Sequence, residues 1–359
     1  MRKASKTRHP IGRASTTRAL LGNFSRSLWV LLLGGWLLAA CAGTLETARA
    51  QSFADDPEVL AFVERMVTQH GFTKGEMLQL FADIKLRNDV LKAIARPAER
   101  KPWHAYRPIF VTEARIRQGL EFWREHATPL QEAERMYGVP ASIVVAIIGV
   151  ETRYGRHAGR YRVIDSLATL AFHYPKRASF FRKELEELFL LAREEGFDLR
   201  QLKGSYAGAM GWPQFIASSY RRYAVDFDGD GVRDLRTNPT DAIGSVANYL
   251  KQHGWRRGEI LFVRAEVEGK GYTEAVARGM KPTMSLDELA LLGATPKKPM
   301  PGPMQASLLE LQGKGGPERW IAFNNFYVVT RYNHSALYAM AVVQLAEAVR
   351  DRYQEANTQ

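Results

Sequence analysis

The sequence lacks several features that would point to a particular class of protein. Its 359 residues include one cysteine, so no disulfide bond within the chain can stabilise the fold. The eight histidines show no paired ligand spacing, and nothing indicates a redox metal. No dense basic run is interleaved with aromatic residues, which argues against nucleic acid as a partner. We find no internal repeat and no heptad array, so a solenoid or a coiled coil is not expected.

Acidic side chains are missing from residues 1–40, although basic side chains are frequent there. Seven lysines and arginines stand in this stretch, and without them the formal net charge falls from +12 to +5. That mild excess is compatible with any polyanion, including nucleic acid or an anionic cell-wall polymer. An apolar segment over residues 28–40 follows, and it is too short to span a membrane comfortably. Residues 1–40 are therefore predicted to be an export signal.

The only cysteine comes directly after this segment. Residues 38–41 read Leu-Ala-Ala-Cys, which resembles a bacterial lipoprotein box, so Cys41 is the predicted lipidation site and membrane anchor. Ala42 rather than aspartate after the cysteine indicates the outer membrane for a lipoprotein of this kind. Ordinary cleavage after Ala50 is the alternative, and it would release a soluble, cysteine-free protein. In both cases the mature chain is exported, and we expect it in the periplasm.

Most of the remaining chain shows apolar residues at three- and four-residue spacing, which predicts helices. Residues 101–108 interrupt this pattern and are predicted to be a loop. Residues 259–267 alternate like a strand. The predicted fold class is therefore mainly α (α+β), with a small β-containing insertion late in the chain. Helices are predicted over residues 56–69, 75–85, 87–95, 112–136, 140–151, 165–173, 176–195, 214–225 and 239–252, near 323, and over 335–352.

A glutamate ends the longest apolar run of the predicted helices. Residues 143–150 are all apolar or glycine, and Glu151 follows them near the end of the predicted helix. Desolvation beside apolar surface and the negative end of the helix dipole both raise the pKa of a carboxyl group, as a general acid at neutral pH requires. The alternative is an ion pair at the helix end with Arg153 or Arg156.

The segment KGSYAGAMGWPQF, residues 203–215, combines three glycines with serine, tyrosine, tryptophan, glutamine and phenylalanine. Glycines let a backbone approach a ligand closely, and sugar rings pack against aromatic faces and bind amide and hydroxyl groups. This composition favours a glycan site. The alternative is a tight crossing of two helices through small residues.

The acidic segment that begins at residue 226 reads D-x-D-x-D-G, the opening of an EF-hand calcium loop. The predicted metal ligands are Asp226, Asp228 and Asp230, the carbonyl of Val232, and Asp234. Position 12 of the loop is a threonine instead of the usual bidentate glutamate, so a weak, structural Ca²⁺ is expected. The alternative is a polar turn whose acids are balanced by arginines at 233 and 236.

Six motifs occur in order between residues 149 and 342: GVETRYG, YPKRASFF, KGSYAGAMGWPQF, DFDGDG, DAIGSVANYL and NNFYVVTRYNHSALYAMAV. Together they resemble the membrane-bound lytic murein transglycosylase B family, which has a lysozyme-like core. The resemblance implies an export signal (1–40), an N-terminal helical domain (41–130), a lysozyme-like catalytic core with the EF-hand-like loop (131–253), a small β-containing subdomain (254–322) and C-terminal helices that return to the core (323–359).

The resemblance also implies the activity, which is cleavage of the β-1,4 bond between N-acetylmuramic acid and N-acetylglucosamine in peptidoglycan. The product end would be a 1,6-anhydro sugar formed without water. Glu151 would act first as acid and then as base, with no cofactor for the chemistry. The nearest other carboxylate, Asp165, is predicted to be a helix N-cap. The family pattern assigns substrate contacts to Tyr106, Lys176, Arg177, Ser205, Gln214, Phe215, Tyr327, Tyr332 and Asn333.

These contacts divide by chemistry under the same resemblance. Ser205 and Gln214 would line the cleft near the acid, and Tyr106 and Phe215 would stack on sugars. The two basic residues would meet the carboxylates of the peptide or lactyl group. The partners implied are peptidoglycan strands and proteins of wall synthesis. Two other functions stay open. One is a muramidase that uses water and needs a second carboxylate or a bound water, and the other is a non-catalytic wall-binding lipoprotein that needs no acid at 151.

Overall fold

The computed structural model describes residues 53–95 and 101–358. The predicted export signal (1–40) and Cys41 lie outside these residues. The described residues all belong to one compact unit, and the domain boundaries predicted within it stay predictions. In the part of the chain that the structure describes, no single helix could cross a membrane. The helices Ala127–Tyr137 and Ala141–Thr152 reach that length and hydropathy only together, across a bend of 115°.

Three helices begin the described chain, and their apolar faces join the main core. Asp56 starts the first of them by accepting a hydrogen bond from the backbone N–H of Glu58 at 2.8 Å. The rings of Phe62 and Phe81 meet edge to face in the core, with centroids 6.0 Å apart. The helices are α1 (Pro57–His70), α2 (Lys74–Ala82) and α3 (Asn88–Ile94).

The next region contradicts two predictions. Residues predicted to form a loop at 101–108 instead form the helix α4 (Trp103–Phe110). Trp103 and Tyr106 are both buried on one face of this helix, and that burial outweighs the proline at position 108. The helix predicted over 112–136 is divided at His126 into α5 (Glu113–Glu125) and α6 (Ala127–Tyr137).

The helix α7 (Ala141–Thr152) carries the glutamate of the sequence analysis. It is apolar all round because core helices contact it on every side, and ten of its residues from Ala141 to Val150 are buried. The helix ends where Arg153 adopts the left-handed conformation, with φ of 53°.

Four more helices follow, together with a short ribbon in which β1 (Tyr161–Arg162) pairs antiparallel with β2 (Lys203–Gly204). The predicted N-cap role of Asp165 is wrong, because the helix begins two residues earlier. The Asp165 side chain is buried instead, and it accepts hydrogen bonds from the Arg162 guanidinium and from the backbone N–H of Lys85. The helices are α8 (Val163–His173), α9 (Ala178–Glu195), α10 (Ala217–Tyr223) and α11 (Pro239–Gln252).

The predicted β-containing insertion is confirmed as a five-stranded antiparallel sheet with the order β4-β6-β7-β3-β5. Its longest pairing places Leu308 opposite Ile321, and both side chains lie in a small apolar cluster separate from the main core. The strands are β3 (Phe262–Val267), β4 (Met284–Ser285), β5 (Ala294–Pro296), β6 (Gln305–Gly313) and β7 (Gly316–Ala322). The short helices α12 (Tyr272–Ala277) and α13 (Leu286–Leu291) connect them.

Two helices complete the fold: α14 (Asn324–Val329) and α15 (Ala336–Thr358). The inner face of α15 is buried, and it packs along α7 and α5. This return of the chain places the start of α15 beside the glutamate of α7. The structure therefore confirms a mainly helical fold with a small sheet.

Candidate active site

A cleft of about 710 Å³ opens at the end of α7. Seven of the predicted site residues line it, and these are Glu151, Arg177, Ser205, Gln214, Phe215, Tyr332 and Asn333. They come from segments more than 180 residues apart in the chain. Among the described residues that line this cleft, Glu151 is the only one with a carboxylate.

Glu151 is partly buried at the base of the cleft. The hydroxyl of Tyr338 on α15 donates a hydrogen bond to its Oε1 at 2.6 Å. Burial raises the pKa of Glu151 to about 7, although the Tyr338 hydrogen bond acts in the opposite direction. The ion-pair alternative is not observed, because Arg153 donates to Gln118 instead and no described cation pairs with the glutamate.

The backbone after Glu151 is held in an unusual conformation. Arg153 and Tyr154 both have positive φ angles, 53° and 59°. The Tyr154 side chain passes between two helical glycines, and a Cβ atom at Gly119 or Gly149 would lie 2.5 Å from its hydroxyl oxygen. That hydroxyl donates to the Arg115 carbonyl at 3.1 Å. Tyr154 therefore locks the end of α7 against α5 and fixes the position of the acid.

The turn that contains Trp212 supports the same helix end from the other side. The Thr152 hydroxyl donates to the Trp212 carbonyl at 3.0 Å, and the indole lies against Gly155 so closely that a Cβ there would be 2.6 Å from the ring. The backbone N–H and the indole N–H of Trp212 donate to the carbonyls of Leu235 and Arg236 at 2.8 and 3.0 Å. The turn is thereby joined to the end of the acidic loop.

Two polar side chains of the cleft keep groups that a ligand can use. The Ser205 hydroxyl oxygen accepts from the backbone N–H of Ala209 at 3.0 Å, which leaves its hydrogen to donate. The Gln214 amide nitrogen donates to the carbonyls of Ala158 and Gly211, which leaves its oxygen to accept. Gln214 also has a positive φ of 51°, so its turn is strained next to the acid.

Aromatic rings form one side of the cleft. Phe215, Tyr249 and Tyr332 contact one another, with centroid separations of 4.8 to 5.9 Å. The Tyr332 hydroxyl donates to the Pro213 carbonyl at 2.7 Å, so this ring is fixed to the Trp212 turn. Phe215 is only 2% exposed, and its main contribution is to support the other rings. Such a surface suits the apolar faces of sugar rings.

The cleft is also positively charged at its rim. The guanidinium of Arg177 lies 4.2 Å from the Phe180 ring centroid and forms no ion pair with a described carboxylate. Arg331 lines the same cleft, again with no ion pair in the part of the chain that the structure describes. Among the described residues of the cleft, two cations without an ion pair accompany one carboxylate, and this charge balance suits an anionic substrate.

Three predicted contacts do not lie in this cleft. Tyr106 is 2% exposed and packs between the rings of Trp103 and Phe110, so it cannot stack on a sugar in this arrangement. Lys176 is exposed on the 3₁₀ turn before α9 but does not line the cleft, and Tyr327 lines a different cavity. Sequence reasoning missed Tyr338, Tyr249 and Arg331, although motifs that it had recognised contain all three.

The acidic loop lies between α10 and α11, as the sequence predicts. Carboxylate oxygens of Asp226, Asp228 and Asp230 lie within 4.8 Å of one another, and the Val232 residue beside them is exposed. Backbone N–H groups, chiefly that of Gly231, donate to Asp226 and lower the pKa of its carboxyl group. This donor set of hard oxygens fits Ca²⁺.

The arginines of the loop do not neutralise that triad. Arg233 pairs with Glu195, while Arg236 pairs with Asp234 at 3.1 Å. Asp234, one of the predicted metal ligands, is not part of that cluster, and its carboxylate also accepts from the Thr237 hydroxyl. The polar-turn alternative keeps only the pair of Arg236 with Asp234, and no arginine among the described residues pairs with the three carboxylates of the triad.

A buried aspartate clamps both ends of the acidic loop. The Asp241 carboxylate accepts hydrogen bonds at 2.8 Å from the backbone N–H of Phe227 and from that of Asp234. Burial raises the pKa of Asp241, and the nearby charges of Asp228 and Asp226 act in the same direction. Sequence reasoning missed this residue, because its contacts are visible only in the folded loop.

The chain is similar to known proteins along most of its length. The family model described as "Transglycosylase SLT domain" matches residues 54–347. Membrane-bound lytic murein transglycosylase B of Escherichia coli (strain K12) is 43% identical over 326 residues, which cover 88% of each protein. The solved structure of the lytic transglycosylase SltB1 from Pseudomonas aeruginosa is 51% identical with a TM-score of 0.81, over 84% of this chain and 99% of that one.

Two further solved structures contain bound molecules. The lytic transglycosylase Slt35 of E. coli in complex with calcium is 44% identical with a TM-score of 0.77, over 84% of this chain and 95% of that one. SltB3 of P. aeruginosa in complex with NAG-NAM-pentapeptide is 34% identical with a TM-score of 0.73, over 84% and 80% of the two chains. These likenesses confirm the predicted lysozyme-like helical core, and the chain belongs to the lytic transglycosylase family with the SLT domain.

Proposed function

We propose that this enzyme cleaves the β-1,4 bond between N-acetylmuramic acid and N-acetylglucosamine in peptidoglycan and leaves 1,6-anhydromuramic ends. The observation that carries the proposal is the single carboxylate among the described residues of the cleft, Glu151, whose pKa is raised to about 7. Its relatives support the substrate, since one is named for murein and another holds NAG-NAM-pentapeptide.

The first half of the reaction needs an acid. About half of the enzyme would hold a protonated Glu151 at pH 7, because that is close to the pKa of the side chain. The proton passes to the glycosidic oxygen as the bond from that oxygen to C1 of the muramic sugar breaks. Tyr338 holds the carboxyl group in place and donates to the carboxylate that forms.

The second half needs a base at the same position. The carboxylate of Glu151 takes the proton from the C6 hydroxyl of the muramic sugar while that oxygen forms a bond to C1. The acid is regenerated, and neither water nor a second protein carboxylate enters the reaction. One residue is sufficient because the substrate supplies the nucleophile, whereas most glycosidases need two carboxylates.

The two alternatives are less well supported. A water-using muramidase ordinarily needs a second carboxylate, and the described residues that line the cleft include none besides Glu151. A non-catalytic wall-binding module has no use for a carboxyl group of raised pKa at the base of a glycan-sized cleft.

Glu151→Gln tests the proposal. The variant should bind glycan and lose nearly all turnover, because positioned proton transfer contributes about 10²–10⁴-fold and one residue serves twice. Exposed Glu76 on α2 provides the matched control, Glu76→Gln, which should keep full activity. Mass spectrometry of sacculus digests should show products lighter by one water than those of a hydrolase. Reducing ends as the main product would favour the muramidase, and full activity of Glu151→Gln would refute the assignment.

A structural Ca²⁺ in the acidic loop is part of the same proposal, with Asp226, Asp228, Asp230 and the Val232 carbonyl as ligands. The calcium complex of a relative and the spacing of the three carboxylates support it. Calcium that binds only the folded state must raise the melting temperature. Asp228→Asn should reduce that rise, with magnesium as the control ion. An unchanged melting temperature of the wild type in excess calcium would contradict the site.

We also place the enzyme in the cell envelope, anchored to the outer membrane through a lipid on Cys41 and facing the periplasm. The name of the E. coli relative, which is membrane-bound, supports an envelope location. Incorporation of radiolabelled palmitate into the wild type but not into Cys41→Ala is the expected result. A label-free wild type with Gln51 at its mature N-terminus would contradict the anchor.

A further inference from the structure

A second cavity of about 460 Å³ lies between the loop before β3 and the start of α14. It shares no lining residue with the cleft that holds the catalytic glutamate. Part of its wall is apolar, formed by Pro282, Pro303 and Met304, and Tyr327 adds an aromatic side chain. Polar side chains of the cavity are Arg256, Glu259, Lys281, Gln305 and Asn324.

The charges in this cavity do not cancel. Glu259 is already engaged, since its carboxylate accepts from the Arg256 guanidinium and from the backbone N–H of Asn324, each at 3.1 Å. Lys281 is exposed and forms no ion pair with any carboxylate in the described residues. One ammonium group is therefore available to a ligand, beside apolar and aromatic walls. This combination suits a short peptide that carries a carboxylate.

The second cavity is adjacent to the catalytic cleft. Tyr327 lines the cavity, and Arg331 lines the cleft four residues later. The Arg331 guanidinium lies 6.0 Å from the centroid of the Tyr327 ring, within the range of a cation–π contact. Arg331 has no ion pair in the described residues, so one unpaired cation lies where the cleft and the cavity are adjacent. Its charge would attract an anionic chain attached to a sugar in the cleft.

We propose that this second cavity binds the stem peptide of peptidoglycan through a carboxylate at Lys281. The proposal rests on the proposed function, since the peptide is joined to the muramic sugar that the cleft would hold. An extended peptide advances about 3.3–3.6 Å per residue, so a few residues suffice to leave the cleft and reach neighbouring surface. The cavity then selects strands that carry peptides over bare glycan.

The test measures the binding of glycan strands in the absence of cleavage. Every variant therefore also carries Glu151→Gln, which should bind the strands without cleaving them. Calorimetry would compare glycan strands that carry pentapeptides with the same strands after an amidase has removed the peptides. Lys281→Glu should raise the Kd for peptide-bearing strands about five- to tenfold, because an ion pair is lost and a like-charge contact is gained. The Kd for bare strands should not change.

Lys314→Glu, in the exposed turn between β6 and β7, is the matched control and should leave both Kd values unchanged. Lys281→Gln removes the charge without adding repulsion and should give a smaller loss, which guards against a folding defect in the charge reversal. Equal weakening on both kinds of strand, or none on either, would overturn the proposal. Turnover by the wild-type enzyme is measured separately. Absence of turnover would contradict the proposed reaction, whereas the binding experiment alone decides whether the second cavity binds the peptide.

Discussion

Glu151→Gln should stabilise the folded protein at neutral and alkaline pH even as it abolishes catalysis. The ordinary pKa of a glutamate is 4.5, and burial raises that of Glu151 to about 7 in the folded protein. Between these pH values the folded state keeps a proton that the unfolded chain releases. The stability of the wild type therefore falls as the pH rises from 4.5 through 7.

The size of this effect follows from the pKa difference. One pKa unit corresponds to about 1.36 kcal/mol, so the buried charge costs about 3 kcal/mol of unfolding free energy once the pH is well above 7. Glutamine carries no charge, and its amide oxygen can still accept the hydrogen bond from Tyr338. The variant should thus match the wild type below pH 4 and exceed its stability by about 3 kcal/mol near pH 8.5.

Urea unfolding of wild type and variant between pH 4 and 8.5 measures this difference directly. Other titrating groups, such as the buried Asp241, contribute equally to both proteins and cancel. Glu76→Gln, at an exposed site, should follow the wild type at every pH. A stability difference that does not grow with pH would show that Glu151 has no raised pKa, and the acid role would lose its physical basis.

Two other substitutions test the surroundings of the acid. Tyr338→Phe removes a hydrogen bond to the charged form of Glu151, and such a bond is worth about 1.5–3 kcal/mol. The pKa of Glu151 should therefore rise, and the alkaline limb of the pH profile of kcat/KM should move upward by about one to two pH units. An alkaline limb that does not move would contradict this contact. Gly149→Ala places a Cβ 2.5 Å from the Tyr154 hydroxyl, so it should lower the free energy of unfolding in urea by about 1–3 kcal/mol and also lower kcat. Gly75→Ala, with open space around it, is the control and should lower neither. Equal behaviour of the two alanine variants would show that Tyr154 does not fix the end of α7.

The sequence predicts an element well where local pattern and tertiary contacts demand the same structure. The helix α7 is an example, because an unbroken apolar run can be satisfied only by burial on all sides. The helix α4 is the opposite case. Its prolines at 102 and 108 favour a loop, and only the burial of Trp103 and Tyr106 in a core built from distant segments makes it a helix.

The same distinction applies to the candidate site. Spacing within a dozen residues is enough to recognise Asp226, Asp228 and Asp230 as one cluster. The partner of Glu151, in contrast, lies 187 residues away on α15, and no local pattern can specify such a pair. The predicted sugar contact of Tyr106 does not agree with its burial for a related reason. An aromatic side chain that supports a site and one that contacts the ligand look alike in sequence.

The residues with strained backbone conformations lie close to the partly buried Glu151. Within the described residues, the non-glycine residues with positive φ are Arg153, Tyr154 and Gln214, and all three lie beside Glu151 or line its cleft. Such conformations persist only where the surrounding contacts over-determine them. Here those contacts include the two hydrogen bonds from Trp212 to the end of the acidic loop. A cation that orders this loop would therefore also hold the turn beneath the acid, and a structural ion far from the reacting atoms would help to keep the site in its strained geometry.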